Sequence, residues 1–189
     1  MKTTLNKIRE HQPCTSGWEK LLTYLGKTKA DDEPLLITTI IDSNGLDDAL
    51  WCLRAVEGRD KEIRLYAVWC TRQVQHLLKD QRSLNALDVA ERYANGEATE
   101  DELDAAADAA WAAWDAAADA ARSAAEAAAY DGAYDVAKAA SAACEAARSA
   151  AGAAARDAAR DAATWAIVWV EMKRRQEAEL RRICEEVEG

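Results

Sequence analysis

The sequence predicts an all-α protein, an N-terminal bundle of short helices followed by long alanine-rich helices packed as a hairpin or bundle. Three observations predict it. Two prolines and eight glycines in 189 residues leave little room for the turns of an all-β fold. Apolar residues in the first half recur at the i, i+3, i+4 spacing of a helix face. Alanine, the best helix former, supplies 35 of the 63 residues between 104 and 166. The length suits one domain or two small, tightly joined ones. The shift in composition divides the chain into 1–97, a helical bundle, and 98–189, an alanine-rich region.

The first hundred residues carry ordinary helix punctuation. Thr15 or Ser16 can cap a helix with Trp18, Leu21, Leu22 and Leu25, ended by Gly26 in the left-handed conformation. Asp31-Asp32-Glu33 precede Pro34, a good first-turn residue for an apolar helix over Leu35–Ile41. The β-branched residues of that run leave a strand open as the alternative. Ser43-Asn44-Gly45 reads as a turn, and Leu46–Val56 as a helix burying Leu46, Leu50, Leu53 and Trp51 before Gly58 breaks it. Asp60 then caps a long helix on which Ile63, Tyr66, Ala67, Cys70, Val74 and Leu77 keep the helical rhythm. Ser83 starts another, through Leu84, Leu87, Ala90 and Tyr93 to Asn95-Gly96. Thr99-Glu100-Asp101-Glu102 is a capping box, the most secure helix start in the chain.

Beyond Thr99 the non-alanine residues fall on one register, from Asp104, Asp108 and Trp111 to Glu145 and Arg148. Forty-four residues in twelve steps give 3.67 per step, the eleven-residue repeat of an almost straight helical stripe. A helix so rich in alanine exposes too much apolar surface to stand alone, so neighbours must pack on at least two sides. Unbroken, some 60 residues would run roughly 90 Å. Gly132 and Gly152 are the candidate breaks, although the register continues past Gly132 and leaves a single long helix open. From Trp165 through Trp169, Met172, Leu180, Ile183 and Val187 the chain is amphipathic, its bases and acids spaced for i, i+4 pairs.

The net charge of −10 is unevenly spread. Residues 101–135 carry nine acids against Arg122 alone, whereas the chain from 136 onward is neutral. An acidic surface gains nothing from counterion release at a phosphate backbone, which disfavours direct nucleic-acid binding and favours a basic-surfaced protein. The longest apolar runs, Leu35–Ile41 and Ala166–Val170, fall far short of the roughly 20 residues a membrane span requires. No signal-like segment opens the sequence, so a cytoplasmic location is expected. Five cysteines (Cys14, Cys52, Cys70, Cys144 and Cys184) show no CxxC or Cys/His ligand spacing. They are expected to be reduced, small apolar residues, with no metal and no cofactor.

No catalytic residue stands out, and the chain is not expected to be an enzyme. His11 and His76 lack a nucleophile at useful spacing; His76 and Asp80 can form an ordinary pair on one helix face. The paired aspartates repeat along one helix and do not converge from two directions as general acid–base work requires. Trp18, Trp51 and Trp69 sit on apolar faces and are expected in the core. The candidate partner-binding residues are Asp104, Asp108, Trp111, Trp114, Asp115, Asp119 and Glu126, tryptophans flanked by carboxylates being good protein anchors; filling gaps between alanine helices is the equal alternative for Trp111 and Trp114. Two other functions fit the same surface. One is self-association of the alanine helices into an assembly. The other is an acidic mimic of DNA blocking a nuclease or effector, for which the stripe's one charge per about 8 Å is sparse against one phosphate per 3.4 Å of each strand. The oligomeric state is open.

Three stretches taken together carry a resemblance. They are Asn44-Gly45-Leu46-Asp47-Asp48-Ala49-Leu50-Trp51-Cys52-Leu53-Arg54-Ala55, then Leu87-Asp88-Val89-Ala90-Glu91-Arg92-Tyr93-Ala94-Asn95-Gly96-Glu97-Ala98-Thr99, then the alanine repeat with its Trp-Asp and Arg-Asp pairs. Over roughly residues 44–165 the chain resembles the immunity proteins of the type-5-like family, found in polymorphic-toxin settings and in phage genomes. The resemblance implies a cytosolic, non-enzymatic protein that binds and neutralises another protein, a toxin or, for a phage-borne member, a host defence protein. It carries no binding residues with it.

Overall fold

A computed structural model describes residues 1–78, 80–111, 138, 140–145, 147–148 and 162–187, without the side chains of 110–111 and 162–168. Its described part is all-α apart from one short ribbon. Strand β1 (Lys2–Thr3) pairs antiparallel with β2 (Leu35–Leu36), Lys2 opposite Leu36 and Thr3 opposite Leu35. Between them lie α1 (Leu5–Glu10), which Thr4 caps through its side chain, and α2 (Thr15–Leu25). Gly26 ends α2 at φ 65°, and the Lys27 N–H reaches back to the Leu22 carbonyl at 2.9 Å, closing the turn as glycine C-caps do. The N-cap, however, is Cys14 and not Thr15 or Ser16, its Sγ taking the Gly17 N–H at 3.4 Å.

The apolar run after Pro34 divides between both of its expected forms. Leu35 and Leu36 are strand, and α3 (Ile37–Asn44) follows. Pairing with β1, a tertiary event, takes the first two residues; Ile37, Ile40 and Ile41 then sit on one buried helical face. Ser43 and Asn44 belong to the helix, so the expected turn narrows to Gly45. At φ 96° Gly45 both ends α3 and starts α4 (Leu46–Cys52), a backbone state that side chains strain to adopt. The expected helix to Val56 tightens into a 3-10 turn at Leu53–Ala55 and is extended at Val56.

Arg59, not Asp60, occupies the cap of α5 (Asp60–Arg72). The helix stops short of its periodic pattern, with Leu77 in a separate 3-10 turn at Gln75–Leu77. His76 lies in that turn and Asp80 caps the next helix, so the two do not share a helix face; Asp80 pairs with Arg82 at 2.5 Å. Helix α6 (Gln81–Ala94) thus begins at Asp80, which accepts the Arg82 N–H, and Ser83 is a buried residue of its first turn. Helix α7 (Glu100–Trp111) packs antiparallel-fashion back on α6 after a short Asn95–Thr99 connection, the most extensive helix pairing among the described residues. Residues 140–145 and 147–148 are helical, and α8 (Ala162–Glu186) closes the described chain. The expected breaks at Gly132 and Gly152 lie outside the described residues.

One buried cluster joins the two halves of the sequence. It takes in Leu5, Ile8, Ile37, Ile40, Leu46, Leu50, Leu53, Ile63 and Leu87 from the first half. Leu103, Ala106, Ala140, Ala143, Ala147, Leu180 and Ile183 join it from the second. Each large apolar side chain so enclosed contributes about 1.5–3 kcal/mol. At its centre Tyr66 is wholly buried and donates its hydroxyl to the Gln176 carbonyl at 3.0 Å, while Gln176 Nε2 donates to the Cys144 carbonyl at 3.1 Å. Cys70 and Cys144 meet here with their sulfurs in contact. These contacts stitch α5, the 140–148 segment and α8 together. Trp18, Trp51 and Trp69, expected in the core, are half-buried and pack against its edge.

Candidate functional site

The start of α7 is set by reciprocal hydrogen bonds. The Thr99 amide donates to Glu102 Oε2 at 2.8 Å, and the Glu102 amide donates to Thr99 Oγ1 at 3.2 Å. These bonds, first the Thr99 amide and then its hydroxyl, hold the Glu102 carboxyl below its usual range. Leu103 and Ala106 are buried against the core, which fixes the helix's rotation about its axis. Asp101, Asp104 and Asp108 are therefore on the outer face, and all three are exposed. Glu100, Asp101, Glu102, Asp104 and Asp108 share this helix end without a basic residue among them. Arg92 lies 3.7 Å from Glu102. Among the described residues no cation pairs with Asp104 or Asp108.

Two of the seven sequence-predicted site residues are thus placed on one exposed face, one helical turn and about 6 Å apart. Trp111 is the last described residue of α7, in backbone terms. Trp114, Asp115, Asp119 and Glu126 lie outside the described residues.

A second set of charges ties elements together, its arginine buried and its aspartate exposed. Arg148, 6% exposed, donates from Nη1 to Asp47 Oδ1 at 3.0 Å, and Lys173 donates to Asp47 Oδ2 at 2.6 Å. The ring of Trp169 lies 5.3 Å from the Arg148 guanidinium and 5.7 Å from the Lys173 ammonium. Burial works to raise the Asp47 carboxyl, but the hydrogen bonds from Lys173 and Arg148 outweigh it, and its pKa is lowered. This group joins α4, the 140–148 segment and α8 around a cleft of about 250 Å³. It balances two acids, Asp47 and Glu145, with two bases, so its chemistry is that of a structural tie.

Sequence reasoning missed a pocket between α1, α2, α3 and α4. It encloses about 170 Å³ and is lined by Trp18, Trp51, Asn44, Asp48, Cys14 and Cys52 among others. Its residues come from separate helices whose local patterns say only that Trp18 and Trp51 face inward. The pair of Asn44 and Asp48 that marks it spans the Gly45 junction of two helices, so helix-face spacing gives no signal for it. Elsewhere, Glu171 pairs with Arg174 and Arg175, Glu177 with Arg181, and Arg182 with Glu179 and Glu186. These are the helix-face pairs the spacing of α8 predicts. No group of three or more His, Cys, Asp or Glu converges as metal ligands would, among the described residues. No helix among them is long and apolar enough to cross a membrane. Comparison with known proteins found no matching family model, no matching curated protein and no matching solved structure.

Proposed function

We propose that this chain is a non-enzymatic protein inhibitor, of immunity or phage counter-defence type, that occludes a basic surface on a toxin or defence protein with the acidic face of its alanine-rich region. One observation carries the reading: Asp104 and Asp108 stand exposed and unpaired by cations among the described residues, on a helix whose rotation is fixed by Leu103 and Ala106. Charges that no described residue neutralises are available to a partner. A preformed helix presents them without the ordering cost of a loop. The capping box adds to this, because it holds the first turn rigid where the acids are densest. The resemblance of 44–165 to type-5-like immunity proteins points the same way. The protein works in the cytoplasm in this reading, where its five thiols stay reduced.

The test compares the chain with its Asp104/Asp108/Asp115/Asp119→Lys variant as immobilised bait in lysate of the cell in which it acts. The wild type is expected to retain a defined basic protein that the variant loses. Equal retention by both removes the acidic face from the function. Competition by added duplex DNA would favour a mimic of nucleic acid over a plain protein plug.

A further inference from the structure

The pocket between α1 and α4 holds an acid in apolar company. Trp18 comes from α2, Trp51 from α4, and Ile8, Leu21 and Ile40 complete much of the remaining wall. Asp48 stands at this wall, half-buried. Asn44 holds it, donating from Nδ2 to Asp48 Oδ2 at 2.8 Å and to the Gly17 carbonyl at 2.9 Å. Ser43 in turn donates to Asn44 Oδ1 at 2.8 Å, which fixes the amide's orientation. The carboxylate is therefore positioned, yet no cation pairs with it among the described residues. Lys20 reaches the Asn44 carbonyl at 3.5 Å and does not line the pocket. Arg54 lies over the Trp51 ring, 4.2 Å from its centroid, and does not line the pocket.

A positioned carboxylate, two indoles and an apolar wall select a ligand by elimination. An anion meets Asp48 and is repelled. A neutral apolar ligand strips water from the carboxylate and returns nothing for it. A cation on an aliphatic stem satisfies every wall: its charge meets Asp48, and its methylenes meet the indoles, the leucine and the isoleucines. At about 170 Å³ the space admits a short alkyl chain with its charged head. We propose that this pocket binds an organic cation, an alkylammonium or alkylguanidinium group, seated between Trp18 and Trp51 with its charge on Asp48. The group belongs either to a free amine or to a lysine or arginine side chain of a protein.

Gly17 supplies an independent handle. A Cβ built there would lie 3.0 Å from Asp48 Oδ2 and 3.1 Å from Cys14 Sγ. Gly17→Ala therefore crowds the carboxylate while raising helix propensity within α2. The experiment follows the Trp18 and Trp51 indole N–H resonances as n-butylammonium, n-butylguanidinium and the neutral isostere 1-butanol are added to the full chain. Both cations are expected to shift these two resonances with an affinity about tenfold above that of 1-butanol. Asp48→Asn, which keeps an acceptor for Asn44, is expected to remove that preference, and Gly17→Ala to weaken both cations. Binding of Nα-acetyl-lysine N-methylamide as tight as that of n-butylammonium assigns the site to a side chain; its rejection alongside retained n-butylammonium assigns a free amine. Equal affinity for 1-butanol, an unchanged preference in Asp48→Asn, or cations that leave both indoles unmoved would overturn the proposal. If Asp48→Asn fails to fold, unaltered cation affinity in Gly17→Ala overturns it equally.

Discussion

Arg148 is an arginine in a place where arginines seldom go, 6% exposed, with its charge met by Asp47 and by the Trp169 ring. Asp47→Asn leaves that guanidinium buried with a weaker partner. It is expected to cost about 1–3 kcal/mol, read as a fall in Tm of about 2–4 °C per kcal/mol in a chain of this size. The effect has a pH signature. The folded carboxyl is held below its ordinary value of 3.8, so its stabilisation is present above that pH and is lost as the pH falls through the lower folded pKa. The difference in Tm between wild type and Asp47→Asn should therefore shrink toward acid, and a difference constant down to pH 2–3, roughly the acid limit of native carboxylates, would contradict the pairing. The thiols make a second residue-level prediction. Cys14 is exposed, whereas Cys52, Cys70, Cys144 and Cys184 are buried, and burial pushes the Cys52 thiol up to about 12. A thiol reagent at neutral pH should modify Cys14 first in the native chain and all five cysteines only after unfolding. Fast modification of a second cysteine in the native chain would refute that burial.

Helix ends were legible where the signal is local. Gly26 ends α2 in the left-handed conformation, and Thr99 starts α7 with both bonds of the capping box in place. Thr99→Ala removes the acceptor for the Glu102 amide and is expected to cost about 1 kcal/mol. Hydrogen exchange at the first amides of α7 should speed several-fold while α5 is untouched; unchanged exchange there would mean that packing of Leu103 alone secures the helix start. Where the deciding partner is distant in sequence, local pattern failed. Leu35 and Leu36 are strand because Lys2 and Thr3 lie beside them, thirty-odd residues away in the chain. Cys14 caps α2 in place of the better-suited Thr15 and Ser16, which the sequence alone would choose. The sequence expects Trp18 and Trp51 in the core, whereas both stand half-buried at its edge, because a one-dimensional pattern cannot tell a filled core from the wall of a pocket. The polar pair at Asn44 and Asp48 marks the difference.

Across the whole molecule, the alanine-rich region and the N-terminal helices are held by one apolar cluster, with the bond between Tyr66 and Gln176 at its centre. Small alanines at 140, 143 and 147 let this happen, because they allow close approach of the backbones around them. The consequence for function lies in what the shared core leaves outside. Leu103 and Ala106 face in, and Asp101, Asp104 and Asp108 face out. Charges on a fixed face act chiefly on association rate and on salt dependence. The most direct measurement is the affinity of the captured basic protein for the wild type and for Asp104→Lys/Asp108→Lys, taken at low and at high salt. A drop of about tenfold or more at low salt, narrowing as salt rises, is the expected result. Equal affinity of the two chains at low salt would contradict the account.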